Sequence, residues 1–222
     1  MASLFVYVIW PLILFVLLNI IFTPSGLPAR SRHMWVTFPF QLWKIATNEA
    51  LRRNHALEHA TINVIEETYG PQPLAGAATA GGFVLRGVTS PRLVEIAAKR
   101  GLYRLKQGER RLAVHGRCGT SIGLANLLTS TAAVGALFVA GRGNWLAVLM
   151  AVCAAHLAGP YVGRWAQSMI TTSSRVEKLE IIAVEATPRL AGFYGRTMPV
   201  MPVEVFVSTR AGREQTWSTA KV

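Results

Sequence analysis

The sequence predicts an α-helical integral membrane protein, with about three transmembrane helices and a small cytoplasmic α+β region organised round one long helix. Three observations carry this reading. Hydrophobic residues make up 51% of the chain and charged residues only 15%, against roughly a quarter charged in ordinary soluble domains. The apolar residues are gathered into three runs of about 20, the length that crosses a hydrocarbon layer of ~30 Å as a helix. Between the first two runs lies a polar stretch with both helical and alternating patterns, which contains Asn54-His55-Ala56-Leu57-Glu58-His59-Ala60-Thr61.

The first run, Ser3 to Phe22, is broken only by Pro11 and Asn19. No basic start precedes it and Thr23-Pro24-Ser25-Gly26 follows, so it reads as a span, residues 1–22, rather than a cleaved signal. A cytoplasmic region, residues 23–118, comes next. Its long helix is expected from Phe38-Pro39-Phe40 to about Tyr69, with Pro39 suited to a first turn and Gly70-Pro71 as the stop. Leu51, His55, Glu58, His59, Ile62 and Glu66 share one stripe of that helix, which turns the histidines inward. The glycine- and alanine-rich stretch to Gly82 is expected to be a loop, and Gly82 to Val88 a short strand. Arg92 to Gln107 is a basic amphipathic helix, suited either to a solvated face or to docking on anionic headgroups. Arg111 to His115 reads as a second short strand.

Ile122 to Ala140 and Trp145 to Gly163, joined by Gly141-Arg142-Gly143-Asn144, form an expected transmembrane hairpin within residues 119–163. Residues 164–222 are read as a cytoplasmic helix from Arg175 to Ala186, a strand from Pro202 to Thr209 and a flexible tail. The strands near Phe83, Ala113 and Val205 would make one small sheet. Fourteen Lys and Arg lie between the first and second runs, eight follow the third, and Arg142 alone occupies the hairpin tip. Basic loops stay in the cytoplasm, so the N-terminus and hairpin tip are expected outside, across the inner membrane from the polar region. The net charge of +12 then belongs to topology and headgroup contact, which makes the lipid bilayer a partner and nucleic acid not one. Cys118 and Cys153 imply no disulfide framework.

His55 and His59 are one helical turn apart with Glu58 beside them, so two imidazoles can converge on one ion. This H-x-x-E-H order is that of inverted zinc hydrolases, in which the glutamate is general base toward metal-bound water. A second stretch, His115-Gly116-Arg117-Cys118-Gly119-Thr120-Ser121, adds an imidazole and a thiol. Imidazole and thiolate together favour Zn²⁺. The plainer alternatives stay open: a solvated His-Glu-His face, and a glycine turn into a membrane helix with Cys118 as a small hydrophobe. His156 lies inside the third run, where an ionisable residue is costly and suggests either a role or a hydrogen bond to a neighbouring helix.

Together with Thr171-Thr172 in the stretch from Gln167 to Glu180, these motifs resemble the bacterial YqhQ-like membrane proteins, which are described as metal-dependent. The run from Asn54 to Thr120 more closely resembles uncharacterised membrane proteins of cyanobacteria and Chloroflexota that share the His-Ala-Leu-Glu-His-Ala-Thr pattern. The resemblance implies a shared metal site at His55, Glu58, His59, His115 and Cys118, with Glu180 where the family also carries a glutamate. In H-x-x-E-H peptidases a distant glutamate completes the metal shell, a part that Glu180 or Glu66 could take here. The function expected is a zinc-dependent hydrolase of peptidase or amidase type at the cytoplasmic membrane surface, acting on a lipid-linked or membrane-adjacent substrate. The alternatives are an assembly or scaffold protein with a closed structural site, and an accessory subunit of a larger membrane complex.

Overall fold

The computed structural model describes residues 40–87, 90–140, 144–188, 191–193, 196–198 and 203–211. The expected first span, the start of the long helix, the hairpin tip at 141–143 and the tail beyond 211 lie outside them. The chain forms two compact units, residues 1–44 with 116–171 and residues 45–115 with 172–222.

The second unit is built on helix α1 (Glu49–Tyr69). Residues 40–47 are also helical, but the helix expected to run unbroken through this region is interrupted at Asn48. Its side chain accepts from the Leu51 amide at 3.0 Å and caps α1 as a new start. An asparagine offers the backbone this bond in place of the helical one. At the other end Gly70, at φ 72°, donates its amide to the Glu66 carbonyl, a left-handed stop that glycine takes without steric cost.

Strands β1 (Ala75–Thr79) and β2 (Gly82–Gly87) form a hairpin, and helix α2 (Pro91–Lys106) follows, capped by Ser90. Strand β3 (Leu179–Pro188), the short pair β4 (Ala191–Phe193) and β5 (Arg196–Met198), and strand β6 (Val203–Ala211) complete the unit. The main sheet is antiparallel in the order β1-β2-β6-β3. Alternation sends Phe83, Leu85, Val205 and Val207 to one face, where Phe83 pairs with Val207 and Leu85 with Val205. Ala56, Leu57 and Ala60 of α1 and Val94, Ala98, Leu102 and Leu105 of α2 cover that face. The two helices pack closely at Ala60 and Gly101, where an added β-carbon would stand 3.1 Å from Ala60.

Three sequence expectations are corrected. The stretch expected to be a loop before Gly82 contains β1; its small residues Ala75, Gly76, Ala77 and Ala78 gave no alternation to read. Arg111 to His115, expected to be a strand, holds a 3₁₀ turn at Arg110–Ala113. Its neighbours Leu112 and Ala113 are both buried, whereas a strand would send them to opposite faces. Arg175 to Ala186, expected to be a helix, contains most of β3. Leu179, Ile181 and Val184 all reach the core because the register shifts between Ile181 and Ala183. That bulge breaks the two-residue period and disguises the strand.

The first unit contains α3 (Gly119–Ala140) and α4 (Trp145–Ala166), the latter continued by a π turn at Gln167–Thr171. Both helices are long and apolar enough to cross a membrane. Only 28% and 17% of their most apolar stretches are buried, so most of that surface faces outward, with Ile122, Leu146, Leu149, Met150 and Leu157 exposed. Gly159 and Gly163 of α4 let the helices meet: β-carbons there would stand 2.8 Å from Ala125 and 2.9 Å from Ser121. This is small-residue packing of the kind found between membrane helices. The Ser121 hydroxyl donates to the Gly163 carbonyl at 3.0 Å and accepts from Gln167, which is fully buried. His156 lies on the exposed surface of α4.

Candidate metal centre

The inner face of α1 builds the site. His55, Glu58 and His59 are each at most 5% exposed, and the rings of His55 and His59 lie 4.3 Å apart between centroids. Nδ1–H of His59 donates to the Ala113 carbonyl at 2.8 Å. A carbonyl can only accept, so this bond places a proton on Nδ1 and makes Nε2 the nitrogen that offers a lone pair in the neutral ring.

One turn further along α1, the Asn63 amide donates to the carbonyls of both Leu112 and Val114, each at 3.0 Å. His59 and Asn63 together therefore hold three consecutive carbonyls of the segment leading to His115. Arg104 of α2 holds the chain just before that segment. Its guanidinium binds Glu109 at 2.6 and 2.8 Å and also grips Glu67 of α1. Hydrogen bonds from Arg104, then from Arg111, hold the Glu109 carboxyl down to about 2, and those from Arg104 hold Glu67 below its ordinary value. The same two carboxylates, Glu109 first, push the Arg104 pKa upward.

His115, buried, has its ring 5.9 Å from that of His59. Its Nε2 lies 3.3 Å from Glu66 Oε2. Three residues later Cys118, also buried, begins α3: its carbonyl accepts from the amides of Ser121 and Ile122. His55, His59 and Cys118 form a group able to hold a metal ion, with one ligand atom of each within 4.8 Å of the others. Bonds of ~2.0 Å to nitrogen and ~2.3 Å to sulfur in a tetrahedral shell put donors about 3.3–3.6 Å apart. The two imidazoles and one thiol of the group suit a borderline-soft metal.

The remaining expected residues are placed differently. Glu58 is on the same helix but outside that group, its carboxylate lying against Gly76 of β1. Glu180, on β3, has a side chain 55% exposed and 3.7 Å from Arg210 on the neighbouring strand. His115 is likewise outside the three-residue group.

Asn54, Asn63, Gly76 and Arg104 were not singled out from the sequence. Asn63 had one readable signal, its place four residues after His59 on the inner stripe. Buried Asn54 donates to the carbonyls of Thr79 and Ala80 and accepts from the Thr209 hydroxyl at 2.6 Å. These bonds tie the β1–β2 turn and β6 to α1 beside the site.

The fold and site thus define a protein with an apolar helical hairpin and an α+β unit whose main helix carries buried, metal-capable histidines. The model of a domain of unknown function, DUF6391, matches residues 50–184, and the chain belongs to that family. An uncharacterized protein of Picosynechococcus sp. (strain ATCC 27264 / PCC 7002 / PR-6) is 33% identical over 135 residues, 55% of this chain and 66% of the relative. The chain thus spans just under two thirds of that relative's length. No solved structure matches.

Proposed function

We propose that this chain is a membrane-anchored, metal-dependent hydrolase, with His55, His59 and Cys118 as ligands, Zn²⁺ as the metal and Glu58 as general base. The observation that carries the reading is the count of mutually close donors among the described residues, which is three. A Cys/His₂ set of three protein ligands leaves a fourth position for water, the mark of catalytic rather than structural zinc. The metal would supply acidified water and a Lewis acid toward a carbonyl. Glu58, buried on the same helix as both histidines, would hold the proton in transit. The Nδ1–H bond from His59 to Ala113 orients its ring toward this duty. The resemblance to the metal-dependent YqhQ-like proteins points the same way.

The exposed apolar surfaces of α3 and α4 support a bilayer as the surroundings. The Lys and Arg asymmetry supports a third span at Ser3–Phe22 and a cytoplasmic site, and the substrate would be a peptide, amide or ester close to the membrane. A rival reading, a closed structural site, gains from the nearness of His115 to His59 and loses from the contact of His115 with Glu66.

Elemental analysis of purified wild type, His59→Ala, Cys118→Ala, His115→Ala and Glu58→Gln separates them. The open site predicts one metal per chain in the wild type, Glu58→Gln and His115→Ala, and loss in the other two. Loss in His115→Ala as complete as in His59→Ala makes the site closed, and equal metal in all five removes it. Turnover of peptide, amide and ester reporters should vanish in Glu58→Gln while its metal stays. A reporter fused at Gly143 that gives a cytoplasmic signal would overturn the orientation.

A further inference from the structure

The outer face of α2 has no place in the metal site and carries a distinct pattern. Arg92, Ile96, Lys99, Arg100, Tyr103 and Lys106 all fall within about 120° of one another at 100° per residue, and all are exposed. Ile96 and Tyr103, 55% and 64% exposed, form an apolar centre two turns long. The basic residues flank it. Glu95 is the one acidic residue of α2, and it is already paired with Lys99 at 2.6 Å. Arg100, Lys106 and the following Arg110 enter no ion pair among the described residues, whereas Arg104, turned inward, is satisfied by Glu67 and Glu109.

We propose that this face of α2 rests on an anionic phospholipid surface, with Ile96 and Tyr103 dipping to the level of the headgroups and Arg92, Lys99, Arg100 and Lys106 contacting phosphates. Apolar side chains set in a basic rim are what an interfacial helix needs, because area burial and charge attraction then act on the same plane. A protein partner with an acidic rim would satisfy the charges, but a membrane is already supplied by the chain itself. Helix α3, long and apolar enough to span one, begins thirteen residues after α2 ends. Extended chain of that length reaches no more than about 45 Å. The inference does not depend on the metal: the face is made of other residues and would act on an enzyme or a scaffold alike.

The test uses the full chain in nanodiscs of phosphatidylcholine alone or mixed with phosphatidylserine, with Tyr103 replaced by the photo-cross-linker p-benzoylphenylalanine. Ile182, 51% exposed on β3, carries the cross-linker in a control. Mass spectrometry should find phosphatidylserine adducts at 103 in the mixed discs and at least tenfold fewer lipid adducts in pure phosphatidylcholine. The control at 182 should show no such difference. Each basic residue near an anionic surface accounts for about fivefold in partitioning, so Arg100→Gln with Lys106→Gln should lower the yield more than tenfold. Both sites are exposed, and an unchanged circular dichroism spectrum would confirm that the fold is retained. Salt at 1 M, where the screening length is ~3 Å, should have a similar effect. Equal yields in both discs, indifference to the two substitutions, or adducts to copurifying RNA or protein in place of lipid would overturn the proposal.

Discussion

Gly76 lies directly against Glu58: a β-carbon at position 76 would stand 1.9 Å from Glu58 Oε1 and 2.4 Å from its Cδ. The register explains the closeness. Gly76 pairs with Leu85, which pairs with Val205, and both of those partners point into the core. Gly76 thus occupies an inward position of the sheet where any side chain would take the volume of the carboxylate. Gly76→Ala should therefore displace the Glu58 carboxylate, and because the atoms met belong to one flexible side chain the cost should be at the low end, about 1 kcal/mol, of the range usual for overpacking. In a Glu58→Ala background the same change should cost far less, and Glu58→Asp, one methylene shorter, should recover part of the loss. Denaturant unfolding of the cycle formed by Gly76→Ala and Glu58→Ala, with the Glu58→Asp variants beside it, measures this, and additive effects would show that the contact does not matter.

Asn63 is expected to matter to the site without being a ligand. Asn63→Leu leaves the Leu112 and Val114 carbonyls without their donor, a penalty of about 1–3 kcal/mol for each buried acceptor that water does not reach. Because the carbonyl between them receives the His59 bond, metal affinity should fall too, by the 10–100-fold typical when a ligand's support is removed. Isothermal titration with Zn²⁺ beside an unfolding curve would show both losses. Full metal affinity in a destabilised Asn63→Leu would confine the residue to the fold.

How much of this was legible in the sequence follows from which physical signals are local. The apolar runs of α3 and α4 are written in their length, and the α2 stripe and the strands at Phe83 and Val205 in periodicity, and these were read from them. So was the inward stripe of α1, since His55, Glu58, His59 and Ile62 are all buried. The β1 strand was hidden because small residues have no alternation, and β3 because its bulge shifts the inward positions from odd to even. Helical spacing and a shared preference for metal pointed to His55, His59, His115 and Cys118 together; the group that forms holds His55, His59 and Cys118, and nothing local says that His115 stands outside it. Which glutamate stands where is a tertiary fact: Glu66 meets His115 and Glu180 meets Arg210 through contacts that span 49 and 30 positions of sequence, and no local pattern encodes either.

The Arg104 clamp gives a pH dependence whose sign is fixed. Glu109 is held down to about 2 from an ordinary 4.5 by Arg104 and Arg111, so the unfolded chain binds its proton first as pH falls. The contribution is complete above about pH 4.5 and is lost progressively as pH drops toward 2. Arg104→Gln should flatten that part of the stability curve while lowering stability at neutral pH, because it also frees Glu67. Thermal unfolding of both proteins from pH 7 to 3 checks this. Curves that stay parallel throughout would assign the acid sensitivity to other carboxylates.

His59 and Cys118 should separate metal-dependent from metal-independent stability. Both are proposed ligands, and His59 also donates to a buried carbonyl at 2.8 Å. Saturating Zn²⁺ at about 100 times its dissociation constant stabilises a folded protein by about 2.7 kcal/mol. Chelation should therefore lower the unfolding midpoint of the wild type, and should leave that of Cys118→Ser unmoved. His59→Ala should fall below both, by the roughly 1–3 kcal/mol of an unsatisfied Ala113 carbonyl, and adding Zn²⁺ should not restore it. If chelation leaves the wild-type midpoint unmoved while His59→Ala is still destabilised, His59 acts through its hydrogen bond alone and the ion has no part in holding the fold.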